Sequence, residues 1–196
     1  LQIYNSLPLN NNDKYDDISK KVISIGQLVP VKGYDLLIEA WSIVHKTAPD
    51  WELEIYGDGE LRDSLNNLIS KLHLENVVHL KGTSKDICEK IKDYSFFAMS
   101  SLYEGFPMVL IEAMASGLPI VSFDCPSGPR EMIVDSVSGY LVRERNISAL
   151  SSAILDLILH PAKRIAFSNE SIKQFDKLSF RSIMTIWDNL FKSSKY

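Results

Sequence analysis

Short apolar runs alternate along the chain with stretches in which apolar residues recur every three or four positions. Residues 22–26 form the first run, and Leu36, Leu37, Ala40, Trp41 and Val44 then share one helical face. Residues 51–56 read as a strand that stops at Gly57-Asp58-Gly59. Leu61, Leu65, Leu68, Ile69 and Leu72 mark a helix over 60–72. A short strand at 77–80 runs into Lys81-Gly82-Thr83, and a short helix over 86–92 leads to the aromatic run 94–99. A further strand is predicted at 118–123, a helical turn at 130–134 and a last strand at 139–142. Ile147, Leu150, Ile154, Leu157 and Ile158 mark an amphipathic helix, and two more helical stretches follow, the last with Ile183, Ile186, Trp187 and Leu190 on one side. At least five alternations of strand and helix predict an α/β fold, a parallel sheet covered by helices on both faces. In such folds ligands bind beyond the carboxyl ends of the strands. The glycine-rich turns fall at those ends.

The stretch 100–119, Ser-Ser-Leu-Tyr-Glu-Gly-Phe-Pro-Met-Val-Leu-Ile-Glu-Ala-Met-Ala-Ser-Gly-Leu-Pro, organises the rest. It reads as a loop through Glu104, Gly105 and Phe106 and a helix with Pro107 in its first turn, closed by Gly117 before Pro119. The free N–H groups at such a helix start suit a phosphate. Glu112 lies about 7.5 Å further along the axis than Pro107. Glu104 and Glu112 can thus reach different parts of one extended ligand, as acceptors for ribose or hexose hydroxyls. An isolated helical Glu is more often a solvated residue, but Glu112 sits among Leu110, Ile111, Ala113 and Met114, where a charge needs a reason. Ser101-x-x-Glu104 fits a capping box, although Pro107 argues against a helix starting at Ser101.

The 196 residues suffice for about one domain, and 45% hydrophobic content supports a core. A net charge of −4 argues against a nucleic-acid partner. Cys88 and Cys125 lack metal-ligand spacing and read as reduced, buried thiols of a cytoplasmic protein. The four histidines form no cluster, and no strict D-x-D occurs, so no metal is expected. No signal peptide or membrane span is visible. The opening Leu1-Gln2 suggests a piece of something longer.

Glu104 and Glu112, eight apart, with Gly-Phe between and Glu-Ala-Met-Ala-x-Gly-x-Pro following, resemble the Glu-x7-Glu motif of retaining glycosyltransferases of family four. The resemblance extends over about residues 20–192 and implies the C-terminal, donor-binding half of a GT-B enzyme, a Rossmann-like three-layer αβα domain. It divides the chain into a linker strand and exposed loop at 1–20, the nucleotide-sugar-binding domain at 21–178, and a helix at 179–196 crossing back to an absent N-terminal half. Within Gly26-x5-Lys32-Gly33, Lys32 resembles the family's diphosphate-binding lysine, though a Lys-Gly pair alone is more often a solvated loop. Gln27 stands where the family commonly has Arg, which removes one positive charge. Gly57 resembles the glycine of the family's Gly-x-Gly turn, with an ordinary tight turn as the competing explanation. Lys81-Gly82 falls where backbone meets the base.

By the same resemblance Lys32 and Glu104 are the catalytic candidates, Glu104 holding donor-sugar hydroxyls. The backbone of Gly105, Phe106, Pro107, Met108 and Val109 surrounds the phosphates and sugar, and Glu112 holds the ribose. Lys32 and the helix dipole would stabilise charge on the leaving diphosphate. Ser127 to Glu131 either touches the acceptor or caps a short helix, the second being expected. The implied activity is metal-independent, retaining transfer from a nucleotide diphosphate sugar, by default a UDP-sugar, to a glycan or lipid-linked acceptor in surface-polysaccharide synthesis. The chain alone is expected to bind donor weakly and turn over little. The implied location is cytoplasmic, with any peripheral association at the inner membrane face belonging mostly to the missing half. A nucleotide-sugar epimerase of the same architecture and a non-enzymatic α/β module are the alternatives.

Overall fold

The computed structural model describes residue 15 and residues 19–193. The linker expected at 1–20 therefore lies almost wholly outside the described residues. Six parallel strands follow in chain order, β1 (Lys21–Ile25), β2 (Glu52–Tyr56), β3 (Val78–Gly82), β4 (Phe96–Met99), β5 (Ile120–Phe123) and β6 (Gly139–Val142). Their order in the sheet is β3-β2-β1-β4-β5-β6. All the strands are short, and β2, β4 and β5 are almost wholly buried, as expected of a parallel sheet enclosed on both faces, whereas β3 at one edge is buried only at Val78. The strand predicted at 77–80 extends through Lys81 and Gly82.

Alternation along each strand divides the core in two. Val22, Leu53, Ile55, Phe96, Ala98, Val121 and Phe123 face α1 (Tyr34–Thr47), α2 (Arg62–Lys71) and α6 (Ile147–Leu159). Ile23, Phe97, Met99 and Ile120 face the other side, with α4 (Met108–Ala115), α5 (Pro129–Met132) and α7 (Pro161–Leu178). The short α3 (Ile87–Lys90) follows β3, and α8 (Phe180–Ser193) packs on α7. Ile183 of α8 is buried, whereas Phe180, Met184, Trp187 and Phe191 are exposed on one side at spacings of four, three and four residues. Among the described residues no helix is long and apolar enough to cross a membrane.

One acid belongs to this architecture. Glu54 on β2 is buried, 2.9 Å from Lys21 Nζ and 2.5 Å from Tyr94 Oη, which donates to it, with Tyr56 Oη at 3.3 Å. Burial opposes its charge, but the hydrogen bonds from Tyr94 and Lys21 outweigh burial and hold its pKa at about 2. A folded-state pKa below the ordinary 4.5 means stability present above pH 4.5 and lost as pH falls toward 2. Glu54→Gln is therefore expected to cost about 1.5–3 kcal/mol in urea unfolding at neutral pH. The gap to the parent should close as the buffer is taken below pH 4.5; a gap that stays constant down to pH 2 would contradict this account.

Candidate active site

The strand order reverses between β1 and β4. The connection after β1 rises to one face of the sheet and the connection after β4 to the other, which opens a crevice between them. On one wall, Gly26 N donates to Tyr56 O at 2.9 Å and a 3-10 turn, Pro30–Lys32, leads into α1. On the other wall stands the loop 100–107. The two are tied through main-chain carbonyls of the first, Ser100 Oγ donating to Lys32 O at 2.9 Å and Leu102 N to Val31 O at 2.8 Å. Gly33 sits at φ 59°, and a Cβ there would lie 2.4 Å from Ser100 O, so only glycine lets the loops close to this distance. Across this closure Lys32 Nζ meets Glu104 Oε1 at 2.6 Å, with 23% and 11% of the two side chains accessible. The two catalytic candidates, 72 residues apart in sequence, are thus one ion pair.

The helix α4 starts at Met108, one residue later than expected, with Pro107 as its N-cap at φ −73°, ψ 92°. No side chain caps its N-terminus, which leaves its first N–H groups and positive dipole end facing the crevice. Its C-terminus ends as expected: Gly117 is left-handed at φ 70°, Gly117 N donates to Met114 O and Leu118 N to Ala113 O, a Schellman closure. Glu112 is half-buried, and among the described residues its carboxylate has no hydrogen-bond or ion-pair partner. Burial pushes its pKa up from the ordinary 4.5. Gly105 is exposed with open space where a Cβ would be, while Phe106, Met108 and Val109 are partly buried against the apolar cluster under α4.

Gly26, Gly57 and Gly82 all stand at carboxyl ends of strands, and Gln27 is exposed beside Gly26. The Ser127 loop does not cap its helix: α5 has no side-chain cap. Ser127 Oγ lies 2.6 Å from Glu104 O and 3.0 Å from Gly105 O, so it fastens the loop after β5 to the motif loop instead. Hydroxyl-to-carbonyl ties such as this and that of Ser100 join residues far apart in sequence, and no local pattern announces them. Tyr34 also escaped notice; its buried hydroxyl lies 2.8 Å from where a Gly26 Cβ would be, forming the floor under that turn. A polar cleft of about 520 Å³ adjoins Ser127, lined also by Asp124, Arg130, Arg143 and Glu144. Of the two thiols, Cys125 is buried and Cys88 is exposed, against the expectation that both are buried. Burial raises the Cys125 pKa to about 11, which keeps it a thiol. Among the described residues no three His, Cys, Asp or Glu side chains gather as a metal site.

Residues 10–174 match the family model for glycosyl transferases group 1. The chain is 34% identical over 192 residues to the poly(ribitol-phosphate) alpha-N-acetylglucosaminyltransferase of Staphylococcus aureus, covering 97% of this chain and 39% of that protein. It is 33% identical over 185 residues to the amylovoran biosynthesis glycosyltransferase AmsD of Erwinia amylovora, covering 92% of this chain and 52% of the relative. Among solved structures, a mutant of S. aureus TarM in complex with Fondaparinux, alpha-GlcNAc-glycerol and UDP superposes with a TM-score of 0.90 at 33% identity, covering 97% of this chain and 39% of that one. The chain thus spans about half or less of the length of these relatives. Its fold is that of the Rossmann-like domain that GT-B enzymes carry, and it belongs to the glycosyl transferases group 1 family.

Proposed function

We propose that this chain is the donor-binding half of a retaining glycosyltransferase of family four, which transfers a sugar from a UDP-sugar to a glycan or lipid-linked acceptor in surface-polysaccharide synthesis. The observation that carries the proposal is the Lys32–Glu104 pair set against the uncapped start of α4 at the point where strand order reverses. A diphosphate placed there meets a cation and the positive end of a helix dipole. Glu104 and Glu112 flank it with acceptors, one for hydroxyls of the donor sugar and one for the ribose. Lys32 and the N–H groups of α4 then stabilise the charge that develops on the diphosphate as it leaves. With the donor's charge met in this way, the transfer needs no metal. By their names the relatives given above act on poly(ribitol-phosphate) and in amylovoran biosynthesis, which supports a polymeric product class. The exposed apolar side of α8 supports a second half packing back on this one, and that half would carry most of the acceptor pocket and any membrane contact. Neither the epimerase nor the non-enzymatic module has an observation in its favour.

In a thermal-shift titration of the full-length protein with UDP, GDP and ADP, one nucleotide is expected to stabilise the parent. At about ten times its Kd the gain should be roughly 1.4 kcal/mol. Lys32→Ala should abolish most of this shift, and EDTA should leave it unchanged. A full shift in Lys32→Ala would remove the diphosphate from this site.

Glu112→Gln separates binding from stability. Burial raises the pKa of Glu112, so its charge costs stability at pH values above that pKa. The variant is expected to melt at a higher temperature than the parent at neutral pH, yet to bind UDP more weakly. Acidification below neutrality should weaken UDP binding in the parent before an ordinary carboxylate would titrate, and the variant should lack that response. A variant that melts lower and binds normally would mark Glu112 as a structural residue.

A further inference from the structure

Arg62, the first residue of α2, attracted no role from sequence. Its guanidinium lies across the ends of two strands: Nη2 donates to Gly57 O at 3.1 Å, Nη1 reaches toward Leu80 O at 3.4 Å, and Nε donates to Asp58 Oδ1 at 2.8 Å. Asp58 is itself held by Gly59 N at 2.8 Å. The β2–β3 ladder slips at this place. Ile55 pairs with Leu80 but Tyr56 pairs with Gly82, so Lys81 is the extra residue of a bulge. A bulge interrupts the ladder and turns the chain, and bulges gather near active sites. Arg62 takes up carbonyls on both sides of this one, while Gly57 N donates to Gly82 O at 2.9 Å. The two strand ends are thereby held as a single edge.

The direction of the ligand brings this edge into the site. Glu104 is fastened to Ser127 and so lies toward β5. Glu112 lies toward α3, because its charge acts on the Cys88 thiol of that helix, and α3 follows β3. A nucleotide diphosphate sugar with its phosphates at Lys32 and the α4 start therefore runs across the strand ends from β5 toward β3. Its base falls at the end that Arg62 holds.

We propose that Arg62 is a positioning residue for the base end of the donor. It leaves the phosphates and sugars to other groups. It fixes the main chain at Gly57 and at Lys81-Gly82, whose amides and carbonyls meet the edge of the base. This rests on the donor-site assignment made above. Main-chain readout discriminates between bases only if the main chain is rigid, because a loose edge adapts to any of them.

The test uses the full-length protein with UDP, GDP and inorganic pyrophosphate as probes, by calorimetry or competition. Arg62→Ala is expected to weaken the preferred nucleotide by about tenfold and to bring UDP and GDP close to equal affinity, while pyrophosphate stays within about twofold of the parent. Arg62→Lys keeps the charge but cannot span two carbonyls, so it should recover only part of the loss. Asp58→Ala releases Nε together with Gly59 N but leaves both strand-end carbonyls to Arg62, and should show the same pattern at about threefold, which keeps the test decisive if Arg62→Ala does not fold. Equal weakening of nucleotide and pyrophosphate, or an unchanged UDP-to-GDP ratio with only a lower melting temperature, would reduce Arg62 to a structural clip. A parent that binds none of the three probes would overturn the donor site, and this proposal with it.

Discussion

The site depends on the Lys32–Glu104 ion pair, and the pair depends on a closure made at main-chain carbonyls. Taking two charges out of water costs several kcal/mol per ion, and only close geometry recovers it. At 2.6 Å the geometry is close, but the partners come from loops after different strands. Ser100, Leu102 and Gly33 hold the first loop against the second, and Ser127 holds the second against a third. The cation is therefore fixed before any ligand arrives. An ammonium has three donors, so Lys32 can keep Glu104 and still donate to a further anionic acceptor. Preorganisation of this kind is what a charge-stabilising site requires, since a group that must move to meet charge loses part of its effect.

Much of this was legible in the sequence. Periodicity placed every strand and the main helices because both cores are built by simple alternation, Val22 to one side and Ile23 to the other. Gly117 announced the end of α4 because only a left-handed residue closes that turn without strain. The helix start was off by one residue: Pro107 fits either N1 or the N-cap by its φ, and only its extended ψ of 92° decides. Periodicity could not see what the loops do to one another. Ser127 reads as a cap in any local pattern, and its actual partners, Glu104 O and Gly105 O, are more than twenty residues away. Arg62 looks like an ordinary first-turn cation until the bulge at Lys81 gives its guanidinium two carbonyls to hold.

Two acids, Glu54 buried and Glu112 half-buried, are met by the fold in opposite ways. Glu54 and Glu112 are the same residue type, each taken partly out of water, and burial pushes both toward the neutral form. At Glu54 the protein answers with Tyr94, Tyr56 and Lys21, and the carboxyl ends near pKa 2. At Glu112 no hydrogen bond answers, and the pKa rises. The Glu112 carboxylate oxygens stay open to solvent, and so to any hydroxyl donor brought to them. In the site proposed above, a pair of vicinal hydroxyls would use that opening, each donating to one carboxylate oxygen. The proposed ligand therefore falls to Glu112, whose oxygens are open, and not to Glu54, whose oxygens the fold itself occupies, although Glu54 is the more deeply buried and the more strongly shifted of the two.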